Sequence, residues 1–218
     1  MSKPKLIVFD MDGLMIDTEP LAIRGWKIAA KELNVTIPES LYPTVIGLNR
    51  DLCKTVMLEA LGPDFEYDRA LAILHNSVDE YFKEHGVPVK PGLIHMLDKL
   101  DTLGIKKSVA TSSATRRAML KLTYANVVNR FDAIVGGEQV ALSKPAPDIF
   151  LKAASVCNID PTDCIVLEDS NPGVEGAHRA GMRVIVIPDL VPPTDITRQR
   201  AFAICKDLFD ACQLIESL

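Results

Sequence analysis

Leu6-Ile7-Val8-Phe9-Asp10-Met11-Asp12-Gly13 decides the fold. Its first four residues form a continuous apolar run that is too short for a helix and rich in β-branched and aromatic types, and the run stops abruptly at a carboxylate. This pattern reads as a buried strand that delivers charge at its end. Asp10 and Asp12 alternate, so one side chain and one backbone carbonyl can aim at a common point, which suits a hard divalent cation with oxygen ligands. The same residues can also simply end a strand and open a turn, with Gly13 at positive φ. So short a motif does not separate the two readings by itself.

The rest of the chain narrows the choice. A length of 218 residues, 48% of them hydrophobic and 24% charged, supports one large domain or a core domain with an insertion. The formal charge of −5, from 24 Lys and Arg against 29 Asp and Glu, argues against a broad basic face for nucleic acid. A small phosphorylated metabolite needs only a local electropositive pocket and stays in play. The apolar run after Lys5 stops at Asp10, too soon for a signal-peptide core or a membrane span, so a cytoplasmic protein with no membrane partner is expected. Cys53, Cys157, Cys164, Cys205 and Cys212 are odd in number and never form a Cys-x-x-Cys pair, which points to buried reduced thiols. His75, His85, His95 and His178 share no metal-like spacing.

After Gly13, helical spacing dominates. Thr18 can cap a helix with Pro20 in its first turn, and Ile23, Trp26, Ala30 and Leu33 form its apolar face up to Asn34. A second helix starts near Asn49 with Leu52, Val56 and Ala60 inward, and a third carries Leu71, Leu74, Val78 and Tyr81. Nothing between Leu21 and Phe82 reads as a strand. From Pro91, helices and strands alternate, which predicts a parallel sheet with both faces covered. A helix with Leu93, Met96, Leu97 and Leu100 inward ends at Gly104, and the strand Ile105–Ala110 runs into Thr111-Ser112-Ser113. Another helix begins near Thr115. The strand Ala133–Val135 follows, then Ser143-Lys144-Pro145-Ala146-Pro147-Asp148 and a helix. The strand Cys164–Leu167 ends in Glu168-Asp169. Asn171 is expected to cap the next helix with Pro172 at its first position, Val184–Ile187 forms a strand, and Asp207 opens the last helix.

The fold class is therefore α/β, a doubly wound, Rossmann-like parallel sheet with an inserted all-helical cap. Residues 1–14 and 86–218 are expected to form the core domain and residues 15–85 the cap, set over the strand ends. In such sheets ligands bind outside the carboxyl ends of the strands. Asp10, Asp12, Thr111, Glu168 and Asp169 all fall at such ends, and Lys144 lies in a loop that can reach the same crevice. The set offers acids for a metal, a hydroxyl and an ammonium for phosphate oxygens, and a nucleophile with an acid/base neighbour.

Four ordered motifs carry a resemblance: Phe9-Asp10-Met11-Asp12-Gly13, Ala110-Thr111-Ser112-Ser113, Lys144-Pro145-Ala146-Pro147-Asp148 and Leu167-Glu168-Asp169-Ser170. With the helical insertion after the first, the chain resembles the haloacid dehalogenase-like superfamily. Asp17-Thr18-Glu19-Pro20 and Gly47-Leu48-Asn49-Arg50 are similar to the β-phosphoglucomutase-like and hexose or hexitol phosphate phosphatase branch. The resemblance implies that Asp10 attacks phosphorus and that Asp12 is the general acid and base. It also implies that Thr111, Ser112 and Lys144 hold phosphate oxygens. Mg²⁺ would bind through Asp10, the Asp12 carbonyl and Asp169, with Glu168 assisting. Thr18, Gly47 and Arg50 are the cap residues expected to meet substrate, and a cis Lys144–Pro145 bond is expected to fix the aim of Lys144.

Duller roles stand beside these. Thr111 can merely cap a helix, Asp148 can either orient Lys144 or cap its own helix, and Lys144 and Arg50 can be solvated surface charges. Asp12 separates the family's reactions, because a halide leaves without a proton whereas a phosphate ester's alcohol needs one. Phosphomonoesterase is thus the first reading. A phosphosugar mutase is the second, weakened because the related mutases carry a cap histidine where Ala22 stands here. A noncatalytic phosphometabolite-binding protein is the third. Oligomeric state is not encoded in any of these motifs; a monomer is favoured because a modest helical cap can close without a partner subunit.

Overall fold

The computed structural model describes residues 3–45 and 48–218, and it divides into two compact units, Met1–Asp17 with Pro88–Leu218, and Thr18–Val87. The larger unit is built on a six-stranded sheet in the order β3-β2-β1-β4-β5-β6. These strands are β1 (Leu6–Phe9), β2 (Lys106–Ala110), β3 (Ala133–Val135), β4 (Cys164–Glu168), β5 (Arg183–Val186) and β6 (Ala203–Ile204). Every neighbouring pair is parallel. The apolar run Leu6–Phe9 is one of the sheet's two central strands, buried at all four positions, as a parallel strand covered on both faces must be.

The smaller unit holds α1 (Glu19–Glu32), α2 (Tyr42–Val45), α3 (Arg50–Leu61) and α4 (Tyr67–His85). Trp26 of α1 meets Tyr67 of α4 with ring centroids 6.0 Å apart. Along α4, Ala70, Leu74, Val78 and Phe82 are buried at helical spacing. No strand is found here among the described residues, in line with the sequence pattern.

The remaining helices belong to the larger unit: α5 (Leu93–Thr102), α6 (Thr115–Tyr124), α7 (Asp148–Val156), α8 (Asn171–Arg179), α9 (Asp195–Arg200) and α10 (Leu208–Glu216). Leu93, Met96, Leu97 and Leu100 are buried on α5 as expected. Ile149, Phe150, Ala153 and Ala154 of α7 join Val8, Val166, Val174 and Val184 in one core cluster. All five cysteines are free and buried. No helix among the described residues is long and apolar enough to cross a membrane.

Several local expectations need correction. Thr18 sits at the N-cap of α1, but its side chain makes no capping bond to that helix, because its backbone is already helical there. The cap of α8 is Ser170, whose hydroxyl accepts from the Gly173 amide at 3.1 Å, one residue before Asn171. On α1 the buried face centres on Gly25, Trp26 and Ala29. On α3 the buried residues are Cys53 and Met57, not the stripe Leu52, Val56 and Ala60. Apolar residues cover a wide arc of α3, and a one-residue change of register turns the buried stripe by about 100°. The sequence reading also passed over α9 and β6, which finish the sheet edge.

Asn49 does cap α3, accepting from the Leu52 amide at 2.9 Å. Met57 is fully buried whereas Leu52 is 46% exposed. Met57→Ala is therefore expected to cost about 2–5 kcal/mol in urea unfolding, and Leu52→Ala under about 1 kcal/mol. Equal costs would place the buried face of α3 elsewhere.

Candidate active site

In a sheet of this order the chain reverses its winding between β1 and β4, and that switch point opens a crevice at the strands' carboxyl ends. The parallel register sets Phe9 beside Leu167. The Asp10 amide continues the ladder by donating to the Leu167 carbonyl at 3.0 Å. Asp10 and Glu168 thus leave adjacent strand ends on the two sides of the switch point.

Lys144 joins them. Its ammonium donates to Asp10 Oδ1, to Glu168 Oε1 at 2.6 Å and to the Ala110 carbonyl at 3.1 Å. The Lys144 and Glu168 side chains are 6% and 0% exposed. The peptide bond from Lys144 to Pro145 is cis, as the sequence reading expects. Glu168 was expected to assist at a metal, but both its oxygens are engaged otherwise. Oε2 accepts from the Ser170 amide and hydroxyl, each at 2.9 Å. The carboxylate also fills the space above Gly173, where a Cβ would come within 1.8 Å of Oε1.

Burial pushes the Asp10 carboxyl up to about 7, against the pull of Lys144 and with further upward pressure from Glu168 and Asp12. Lys144 is buried too, which favours its neutral form, yet the charges of Asp10 and Glu168 outweigh that and raise it above its ordinary value.

Asp12 lies two residues past Asp10 and points to different partners. Its Oδ1 accepts from Lys121 Nζ at 2.6 Å and its Oδ2 from Ser113 Oγ at 3.1 Å. Gly13 follows with φ +86°, and a Cβ there would fall 2.5 Å from Asp169 Oδ2. Only glycine allows both this backbone and that approach. Asp169 and Asp189 bring carboxylate oxygens within 4.8 Å of each other. Asp189 Oδ1 accepts from Lys90 at 2.8 Å, while its Oδ2 is buried without a hydrogen-bond partner. A buried orphan oxygen beside a second carboxylate fits a hard cation or its bound water.

Thr111 is buried, and its hydroxyl accepts from the Ser113 amide at 3.1 Å, so it does not cap α6. Ser112 follows it in the same turn, half-buried. Asp148 is the first residue of α7. In the helical unit, Thr18 is buried. Arg50 donates to Asp68 at 2.8 Å in an exposed, solvent-screened pair. Gly47 lies outside the described residues. Lys121, Lys90 and Asp189 were missed in the sequence, and Ser113 was quoted within a motif without a role of its own. Lys121 is one basic residue among several on a helix, and Asp189 sits in a proline-rich loop, so neither carries a local signal.

The family model described as haloacid dehalogenase-like hydrolase matches residues 7–187. A phosphorylated carbohydrates phosphatase of Thermotoga maritima is 31% identical over 179 residues, covering 82% of each chain. A β-phosphoglucomutase of Bacillus subtilis is 29% identical over 184 residues, covering 82% of this chain and 80% of that protein. A crystal structure of CbbY from Rhodobacter sphaeroides in complex with phosphate shares the fold, with a TM-score of 0.83 at 22% identity over 94% of this chain and 95% of that one. The chain belongs to the haloacid dehalogenase-like hydrolases. Within them it falls in the β-phosphoglucomutase and sugar phosphatase subgroup with a helical insertion, and it is an enzyme of the family's phosphatase kind.

The raised Asp10 carboxyl has a consequence for stability. In the folded chain it keeps its proton up to about 7, and its ordinary value is 3.8. Between these values the folded state binds more protons, so wild-type stability falls as pH rises through that window. In EDTA, the urea midpoint of the wild type is expected to drop relative to that of Asp10→Asn between about pH 4 and about pH 8. A difference independent of pH would remove the assignment.

Proposed function

We propose that the chain is a Mg²⁺-dependent phosphomonoesterase that hydrolyses a small sugar or polyol phosphate through an aspartyl-phosphate. The observation that carries the reading is the buried Asp10–Lys144–Glu168 cluster at the switch point, with the second acid Asp12 two residues on. The carbohydrate class is supported by what the Thermotoga relative's name says of that protein.

An Asp10 oxygen attacks phosphorus, forming a new O–P bond as the ester's bond to the alcohol breaks. Asp12 gives its proton to the departing alkoxide oxygen and leaves as carboxylate. Water then attacks the same phosphorus, passing one proton back to Asp12, and the bond to Asp10 breaks to release phosphate. Lys144 turns its ammonium to the transferring oxygens as a point charge, held in place by Glu168, while Thr111 and Ser112 offer hydroxyls to the same group. Asp10, the Asp12 carbonyl and Asp169 would hold Mg²⁺, with the orphan oxygen of Asp189 close by. When bound, the ion offsets repulsion between the anionic nucleophile and the anionic ester.

Phosphate release from a panel of hexose, pentose, polyol and nucleoside phosphates, with and without Mg²⁺, tests the reading. Turnover is expected only with the metal. Asp10→Asn is expected to lose steady turnover by at least about a thousandfold while its thermal melt stays cooperative. Wild-type rates in that variant would end the nucleophile assignment. β-Glucose 1-phosphate with a trace of the bisphosphate completes the panel, and its conversion to the 6-phosphate would replace the phosphatase reading with a mutase. Tight binding across the panel without any turnover would point to a noncatalytic binding protein instead.

A further inference from the structure

Nothing in the mechanism above uses Lys121. It stands in the last turn of α6, where a lysine ordinarily reaches into solvent and keeps its rotamer freedom. Here its side chain is only 13% exposed, and its ammonium is spent on Asp12 at 2.6 Å. Ser113 takes the other oxygen of the same carboxylate. The two anchors come from the turn after β2 and from α6, so neither follows the backbone around Asp12.

We propose that Lys121 is the positioning residue of Asp12, fixing with Ser113 the rotation of its carboxylate so that one oxygen faces first the leaving alcohol and then the attacking water. The proposal rests on the reading of Asp12 as acid and base. Its chemistry suits both states of that carboxylate. Oδ1 keeps acceptor capacity whether or not the group carries a proton, so Lys121 can stay in place throughout. Oδ2 likewise keeps a lone pair for the Ser113 hydroxyl in both states, which leaves the acid's own proton free to face the alcohol. A geometry held across both steps spares the site a reorganisation between them.

The test is a double-mutant cycle on Asp12 and Lys121 at saturating Mg²⁺, reading kcat/KM on two aryl esters. p-Nitrophenyl phosphate releases a stable phenolate that needs no proton, and phenyl phosphate releases a basic one that does. Lys121→Met is expected to lower kcat/KM about 10–100-fold on phenyl phosphate and under about 3-fold on p-nitrophenyl phosphate. Lys121→Arg should recover most of the loss. Adding Lys121→Met to Asp12→Asn should cost no more than Asp12→Asn alone, since a residue acting through Asp12 has nothing left to position. Equal losses on the two esters, or a full additional loss in the double variant, would overturn the proposal and make Lys121 a phosphate contact or a structural residue. If Asp12→Asn itself affects both esters equally, the acid assignment falls and the proposal falls with it. If the wild type turns over neither ester, the phosphomonoesterase reading fails first.

Discussion

A single ammonium buried between two carboxylates governs the rest of this structure. Lys144 has three donors, and Asp10, Glu168 and the Ala110 carbonyl use all of them. Buried charge is tolerated only when it is paired and its remaining hydrogen-bonding capacity is met, and breaking such a cluster costs about 3–5 kcal/mol. Ser170 completes the requirement by bonding Glu168 from backbone and side chain. The acids of the cluster outnumber its base, and the Asp10 carboxyl is raised first by its burial and further by the neighbouring charges of Glu168 and Asp12. The same excess of negative charge is the physical ground for a divalent cation at the site.

The sheet order makes this cluster possible. β1 lies between β2 and β4, so the first strand of the chain and a strand more than a hundred residues later end side by side. Acids leaving those ends are brought together by backbone ladders, before any side chain has chosen a rotamer. Lys144 and Asp12 are then met by side-chain contacts, Lys144 by Glu168 and Asp12 by Lys121 and Ser113.

That division explains what could be read from the sequence. Asp10 and Glu168 were legible because each ends an apolar run of strand length, Thr111 because it follows a strand in the alternation of helices and strands, and Lys144 because Pro145 follows it. Lys121 and Asp189 were not, since their importance comes from partners far along the chain. Glu168 was legible as a site residue but not in its orientation, because alternation in a strand says nothing of how the next two residues turn. The stripe on α3 failed for another reason: its apolar arc is wide enough to allow two buried faces. β6 escaped because two residues, one of them exposed, give no period to detect.

The helical unit enters and leaves the larger one through a short clasp. The Asp17 amide donates to the Pro88 carbonyl at 2.9 Å, the Lys90 amide donates to the Met15 carbonyl at 2.8 Å, and Ile16 bridges Val89. The ends of the insertion are thereby tied together within the larger unit. Closing a longer excursion would add only about 0.6 kcal/mol for each doubling of its length. An architecture of this kind lets the inserted helices be lengthened, shortened or exchanged for another fold while the sheet stays as it is.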